Sequence, residues 1–348
     1  MATLTAQDIS DLVATTLYEL GPLKMQQIGQ NRQYYEVYSK WFKKDKVTFD
    51  SGQGIQRTLM NRVDSNAAAH VGYTDPDSVN IIDVIDQLQI PWRHARSSWG
   101  LIYQTDILMN SGRALVLNVI KPRRLAALLG LIEQLEDKGF ASPDSSSNKT
   151  DPFGIKYWVV KNATTGFNGG AASGHTTVGG VSLTDSPTFK NYTALYTTVS
   201  KSDLISKLRT AHRKCRFISP ITVQDYRGAV GERYRLYVNE TTISSIELVG
   251  ESQNENLGRD IASMDGQMTF RRNPIIWVPV LDDDTTNPVY MIDHSTFYPV
   301  ILKGDYLRES DAMRSPNQHN TFQVFVDLSY NYLCLDRRRN AVLATSAS

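Results

Sequence analysis

Only two cysteines, Cys215 and Cys334, occur among the 348 residues. That is too few for a disulfide framework or a cysteine-built zinc site. No stretch approaches the roughly 20 consecutive apolar residues that a membrane helix requires. The opening residues, Met1 to Ser10, lack the basic-then-apolar order of a secretory signal, so synthesis in a cytoplasm is expected. Without that signal, the glycosylation-type triplets at Asn148, Asn162, Asn191 and Asn239 read as chance matches. There is no charge surplus either: Lys+Arg 37 against Asp+Glu 36 leaves a formal +1. A protein that grips nucleic acid through many phosphates ordinarily carries a large basic excess. Contact with DNA is therefore expected to be weak or indirect.

Catalytic signatures are just as scarce. A phosphate-cradling loop needs a glycine-rich turn ending in Gly-Lys-Ser/Thr, and none occurs. Gly52-Gln53-Gly54 is followed by Arg57 where a dinucleotide site requires a third glycine. The Gly-x-Ser-x-Gly elbow is absent. His70, His94, His175, His212, His294 and His319 are scattered, with no His-x-x-x-His pair to offer two nitrogens to zinc. Asp282-Asp283-Asp284 resembles the start of a calcium loop, but glycine is missing at the sixth position and Asp293 replaces the bidentate Glu at the twelfth. A solvated turn is expected there. No catalytic, cofactor-binding or metal-binding residue is assigned, and the chain reads as a non-enzyme. One rival is a hydrolase or transferase with an unrecognised site, which paired carboxylates with shifted pKa values would betray. Another is a DNA-binding or head-completion protein.

What is present is an ordinary globular balance, 41% hydrophobic and 21% charged, enough to bury a sizeable core. Thr5 with Asp8 forms a capping box ahead of Ile9, Leu12, Val13, Leu17 and Leu20 at helical spacing, and Gly21-Pro22 ends that helix. Tyr34, Tyr35, Tyr38, Trp41 and Phe42 read as a short core-facing helix, with an arm docked on a neighbour as the other reading. From Val47 to Tyr103 short β-leaning runs alternate with turn residues, apart from a helical period over Ile81 to Leu88. So little apolar content over such a length predicts a two-stranded excursion that leans on something else.

A long helix follows, with Leu125, Leu128, Leu129, Ile132 and Leu135 as its stripe and Glu133, Glu136, Asp137 and Lys138 mostly off it. From Arg113 to Lys138 it would span roughly 39 Å, with Pro122 kinking it or marking its start. Ala141 to Thr150 and Gly166 to Gly180 read as mobile loops. A second capped helix starts at Ser200, with Asp203 in its box and Leu204, Ile205, Leu208, Ala211 and Cys215 as its stripe. Its other face carries Lys201, Lys207, Arg209, Arg213 and Lys214. Beyond it the chain reads as mainly β, over Tyr234–Val238, Ile275–Leu281, Val289–Ile292, Val300–Leu302 and Thr321–Leu335. The basic helix face and Arg337-Arg338-Arg339 have three readings: facing packaged genome, pairing with acidic patches on neighbouring subunits, or solvated.

The order of these parts, together with local strings, resembles the major capsid proteins of tailed bacteriophages with the Hong Kong 97-type fold. Ile90-Pro91-Trp92-Arg93-His94-Ala95 is similar to the return strand of that family's extended loop. Asn191-Tyr192-Thr193 through Val199-Ser200-Lys201-Ser202-Asp203-Leu204-Ile205 is similar to the entry to a helix of its axial lobe. Asn254-Glu255-Asn256-Leu257-Gly258 and Ile275 to Leu281, followed by Asn287-Pro288-Val289-Tyr290, are similar to the strand leaving that lobe.

The resemblance implies an α+β chain with an N-terminal arm (1–46) and an extended β-loop (47–103). A peripheral lobe with a long spine helix (104–150 and 286–348) and an axial lobe (151–285) would complete it. It implies self-assembly into hexamers and pentamers of an icosahedral head around double-stranded DNA, in the virion, after synthesis in the host cytoplasm. A separate scaffolding protein, a portal and a decoration protein are the expected partners, with no cofactor and no membrane. The arm of about 46 residues is too short for a long helical scaffold and is expected to be retained. Trp92 and Trp99 would sit in apolar contacts between subunits. Encapsulin shells share the fold and stand as the alternative within it.

Family chainmail forms when a loop lysine attacks a neighbour's asparagine, which requires a reactive amine. Ser51 to Gly100 contains no lysine; its cations there are Arg57, Arg62, Arg93 and Arg96, whose guanidiniums stay protonated. Mature particles boiled in detergent should run as one band near 39 kDa. A ladder of covalent multimers would overturn this expectation.

Overall fold

The computed structural model describes residues 30–50, 52–60, 70, 72, 83–108, 113–217, 234–251 and 268–347. The helix expected over Ile9 to Leu20 and the string Asn254 to Gly258 lie outside these residues. The first described element is α1 (Val37–Asp45, of π-helical pitch), followed by β1 (Val47–Phe49), β2 (Gly54–Met60), β3 (Ile85–Pro91) and β4 (Arg93–Ile102). A further π-helical turn, Tyr103–Leu108, precedes the long α2 (Arg113–Gly139). Next come α3 (Ile155–Trp158), β5 (Gly166–Gly169), β6 (Thr177–Val178), β7 (Val181–Ser182), β8 (Asn191–Leu195) and α4 (Leu204–Lys214). Then follow β9 (Tyr234–Val238), α5 (Glu240–Glu251), β10 (Thr269–Phe270), β11 (Asn273–Trp277) and β12 (Val289–Asp293). The last strands are β13 (Phe297–Leu302), β14 (Arg308–Glu309), β15 (Met313–Ser315), β16 (Gln318–Cys334) and β17 (Ala341–Ala344).

Two compact units result: Met1–Gln33, His94–Leu135 and Gly304–Ser329 make one, and Tyr34–Arg93, Glu136–Lys303 and Tyr330–Ser348 make the other, larger one. The larger unit is organised by a seven-stranded mixed sheet of order β10-β11-β9-β12-β17-β8-β5. Its central strands are buried on both faces, and side-chain alternation divides two cores. Tyr192, Ala194, Leu236, Val238, Met291 and Leu343 meet Leu204, Leu208, Ala211 and Cys215 of α4. That is the stripe the sequence predicts. The expected capping box is only half formed: Asp203 N donates to Ser200 Oγ (3.2 Å), but the Asp203 carboxylate accepts from Thr197 N and Thr198 N, so the helix starts at Leu204 rather than Ser200. Lys207 and those two N–H groups pull the Asp203 carboxyl down to about 2.

Tyr237 of β9 points away from that core and meets Trp41 of α1. Trp41 is fully buried, with ring centroids of Phe140, His294, Phe297, Tyr237 and Tyr332 at 5.3, 5.5, 5.4, 5.7 and 5.8 Å. The core-facing reading of the aromatic run therefore holds, and burying each such ring contributes a few kcal/mol. The start of α1 is capped by Glu136, which accepts from Glu36 N (3.0 Å) and Val37 N (2.8 Å). Glu136 was expected off the apolar stripe of α2, yet it is fully buried because those free N–H groups need an acceptor. Leu131 and Leu135 are buried, while Leu128, placed at the stripe's centre, is only half-buried. Pro122 neither starts nor ends the helix, which runs through it.

β2 and β3 pair antiparallel from Gly54↔Pro91 to Met60↔Ile85. Where a helical period was expected over Ile81 to Leu88, Ile85 to Leu88 instead follow the two-residue alternation that pairing imposes. The ribbon's base does not lean wholly on a partner: Ile55, Leu88 and Ile90 are buried within the larger unit. Gln89 N donates to Gly179 O (2.8 Å), and Leu88 packs so closely that a Cβ on Gly179 would lie 2.6 Å from its Cδ1. Gly179 and Gly180 (φ 58° and 87°) form the tight turn between β6 and β7, so the Gly-rich stretch is built rather than mobile. The 141–150 loop is likewise held. Buried Arg93 donates to the carbonyls of Asn148, Lys149 and Asp151 at 3.0, 2.5 and 3.0 Å. α5 breaks the expected β run. Asn239 Oδ1 accepts from Thr242 N and Asp282 Oδ1 from Glu240 N, starting a helix that β-branched Thr241, Thr242 and Ile243 disguise.

In the smaller unit, buried Asp106 accepts from Ile102 N and from Arg123 at 2.5 and 3.2 Å, and Arg123 also reaches Gly100 O. This buried pair fastens α2 to the end of β4, and Ser97 Oγ donates to Ala127 O (2.8 Å). β14 and β15 pair antiparallel with β16, with an irregularity at Arg314/Ser315.

The larger unit's most connected side chain is Arg337, fully buried before β17. Nε donates to Trp158 O (2.7 Å), Nη1 to Phe189 O (3.0 Å), and Nη2 to Gly170 O (2.7 Å), Gly169 O (3.4 Å) and Asn191 Oδ1 (3.1 Å). Burial pulls its pKa down to about 10, so it stays charged at neutral pH. Arg337→Met should remove about 3–5 kcal/mol from the larger unit, because the buried acceptors lose their donors. Urea denaturation read by tryptophan fluorescence checks this; an unchanged midpoint would contradict the assignment.

Candidate assembly surfaces

The paired carboxylates that an enzyme would need do occur, but in the wrong setting. Glu36 and Glu136 are both fully buried under the Trp41 aromatics. Glu36 receives Tyr34 Oη and Lys40 (3.4 Å), while Glu136 is occupied with backbone N–H groups. Trp41 Nε1 donates to Tyr237 Oη, which lies 2.7 Å from His294 Nε2. Burial and nearby Arg235 hold the His294 imidazole well below its usual pKa and therefore neutral. Arg235 pairs with Asp45 at 2.8 Å. Every one of these groups serves to satisfy another inside a core.

A Ser-His-Asp set also occurs, in the smaller unit. His94 Nδ1 is 2.6 Å from Ser329 Oγ, and Ser329 Oγ donates to Asp305. A nucleophilic triad needs the imidazole between carboxylate and serine. Here the serine stands in the middle, its proton directed at the carboxylate, so the set pins strands rather than activating oxygen. Cys215 and Cys334 are buried and unbridged, and burial pushes both thiols up, away from thiolate. Among the described residues no group of three or more His, Cys, Asp or Glu could hold a metal.

The acidic turn is less solvated than expected. Asp284 pairs with Lys156 and Lys161, both at 3.0 Å, and Asp282 accepts from Trp277 Nε1. Of the three arginines, Arg337 is internal, and Arg338 stacks on Phe217 (4.6 Å) while pairing with Asp336. Arg339 is buried, donates to Phe217 O, and faces Asp293 and Asp336. All three are structural, a role none of the three sequence readings included. Asn191 and Asn239 are buried, which rules them out as sugar acceptors.

Several apolar side chains remain on the outside. Met60 (73% exposed) and Ile85 (54%) are direct partners at the far described end of the β2–β3 ribbon. Their strand face is otherwise polar, with Gln56, Thr58, Gln87 and Gln89, so the pair becomes visible only once the register is known. Among the described residues, Leu248 on α5 (65%) and Met313 on β15 (51%) are the other strongly exposed aliphatic side chains. Trp92 and Trp99, expected at contacts between subunits, are half-buried. Trp92 Nε1 donates to Gly52 O (2.9 Å), and Trp99 Nε1 has no partner among the described residues.

The sequence matches no family model and no curated protein. Solved structures do match. The capsid asymmetric unit of cyanophage A-1(L) is similar over 97% of this chain and 99% of that one, with 12% identity and a TM-score of 0.66. The capsid of the native GTA particle is similar over 96% and 99%, with 11% identity and a TM-score of 0.55. The capsid of Myoviridae phage XM1 is similar over 96% and 98%, with 9% identity and a TM-score of 0.52. With helices and sheets in the same order along nearly its whole length, the chain has the α+β fold of phage capsid proteins.

Proposed function

We propose that this chain is the major shell subunit of a tailed-phage head, assembling into the hexamers and pentamers of an icosahedral capsid around double-stranded DNA. The observation that carries this reading is coverage. Capsid structures match it over 97% and 96% of its length, leaving almost no chain for a separate catalytic domain. The subunit is a building block and not an enzyme, and its buried polar clusters are spent on capping and packing. On this reading 1–46 is the arm, 47–103 the extended loop, 104–150 with 286–348 the peripheral lobe and 151–285 the axial lobe. A separate scaffolding protein, a portal and a decoration protein complete the particle. DNA is held weakly, in keeping with the formal charge of +1. Assembly takes place in the cytoplasm of the bacterial host, and the product is the virion capsid. No observation favours a cellular encapsulin-like compartment.

Negative-stain microscopy of the expressed protein should show closed shells or large polyhedral fragments; a persistent monomer would sink the reading. A sharper variant follows from the ribbon. Met60→Glu with Ile85→Lys changes two exposed side chains, so subunit stability should move by no more than about 0.5 kcal/mol each. Closed particles should disappear while the circular dichroism melt is retained. Wild-type yields of closed particles from this variant would remove the ribbon end from the contact.

A further inference from the structure

We propose that the basic surface formed by α4 and the β10–β11 turn docks on the acidic face of α5 in a second copy of this chain. Arg209 and Arg213 are exposed on α4, and Arg216 is exposed just beyond it. Arg271 and Arg272, also exposed, form the β10–β11 turn. Arg271 Nη1 lies 3.5 Å from His212 Nδ1 of α4, so turn and helix form one surface. His212 is held below its ordinary pKa by burial, then by Arg271 and Arg216, with no carboxylate opposing them. Residues 204–217 and 268–277 contain no Asp or Glu at all. Both turn arginines adopt left-handed backbone, φ 51° and 68°, where a tight turn ordinarily takes Asn-Gly. Two cations are thus retained where their backbone is disfavoured.

α5 is the opposite case. Residues 240–251 contain no Lys, Arg or His. Glu240 and Glu247 are exposed, and the exposed Asp282 and Asp283 lie beside its start, where Asp282 accepts from Glu240 N (2.8 Å). Among the described residues none of Arg209, Arg213, Arg216, Arg272, Glu240, Glu247 and Asp283 makes an ion pair. Leu248, next to Glu247 in the chain, is 65% exposed. A nucleic acid would suit the basic surface but would be repelled by α5 and would leave Leu248 in water. A second copy satisfies both surfaces and covers the leucine. Because the two surfaces differ, the contact is heterologous and repeats head to tail, and on the shell reading that repeat closes into a ring. The inference rests on the shell reading and names a contact within its rings.

Three variants test it in the full-length chain: Arg209→Glu with Arg213→Glu, Glu247→Lys with Asp283→Lys, and all four together. Native mass spectrometry and sedimentation at low salt measure the concentration needed for ring formation. Each pair should raise it about tenfold or more with an unchanged thermal melt, and the fourfold variant should return to within about threefold of wild type. If a reversed pair melts early, Arg209→Gln with Arg213→Gln should weaken rings in the same direction. Rings at wild-type concentrations from either reversed pair, or no recovery in the fourfold variant, would overturn the contact. Normal shells with reduced encapsidated nucleic acid would overturn it in favour of DNA. Wild-type rings that never close into shells, yet are lost in both pairs, would defeat the shell reading and uphold this contact. A wild-type chain that stays monomeric would defeat both.

Discussion

The buried guanidinium of Arg337 is the constraint on which the larger unit depends. Its donors reach the end of α3 at Trp158, both sides of the β5 terminus at Gly169 and Gly170, the approach to β8 at Phe189, and Asn191 in β8 itself. Those positions are far from residue 337 in sequence, so one side chain fixes where three separate chain segments stop and turn. An arginine can do this because its five N–H groups lie in one plane on a single charged group; lysine offers three donors at one point. The site is fitted to it. A Cβ on Gly169 would sit 1.8 Å from Asn191 Oδ1, so that glycine is required for the carbonyl to come close. Desolvating the cation is costly, and the fan of carbonyls offsets that cost.

From that edge inward, order passes through the sheet by alternation. β9 shows the division most simply: Tyr234, Leu236 and Val238 join the α4 core, while Arg235 and Tyr237 face α1. Trp41 then sits among five rings, and its indole N–H is satisfied by Tyr237. Charged groups enter the same core only with partners: Arg235 with Asp45, and Glu136 with the free N–H groups of α1. The same accounting applies to the catalytic-looking clusters. Trp41 Nε1, Tyr237 Oη and the Glu136 carboxylate are each spent on another group of the fold.

Much of this was legible in the sequence, and the failures have physical causes. The stripe of α4 was readable because its signal is local, a 3.6-residue period; its start was misplaced by one turn because the Asp203 carboxylate turns back to Thr197 N and Thr198 N instead of closing a box with Ser200 N. The two-stranded nature of the ribbon was readable from its turn residues and low apolar content, although the helical period over Ile81 to Leu88 misread the start of β3. Its register was not, and register alone reveals that Met60 and Ile85 share one end of a polar face. α5 was missed because its cap comes from Asn239 and, across the chain, from Asp282, while its own residues favour strands. The roles of Arg337, Arg339 and Glu136 were missed for one reason. A charged residue reads as surface until the acceptors that surround it are known, and those acceptors are backbone carbonyls and N–H groups that composition does not register.

That misreading leaves the charge balance as it was. A net charge of +1 suggests a bland surface, and burial does not change that sum, because Arg93, Arg235, Arg337 and Arg339 are buried together with Glu36, Asp106, Glu136 and Asp293. What solvent meets is the remainder, and it is sorted, with cations on α4 and the β10–β11 turn and acids on α5. Sorted charge separated by a few residues of sheet is a poor arrangement for an isolated monomer, since each patch repels itself. It becomes favourable when patches of opposite sign on different copies meet. Each such pair is worth little alone, about 1 kcal/mol when partly exposed. A closed assembly multiplies the contact by the number of copies, and closure leaves none of them unpaired. For a chain with no lysine on its extended ribbon, such weak contacts would take the place of a lysine-built covalent link, and their reversibility would let misplaced subunits leave before an assembly closes.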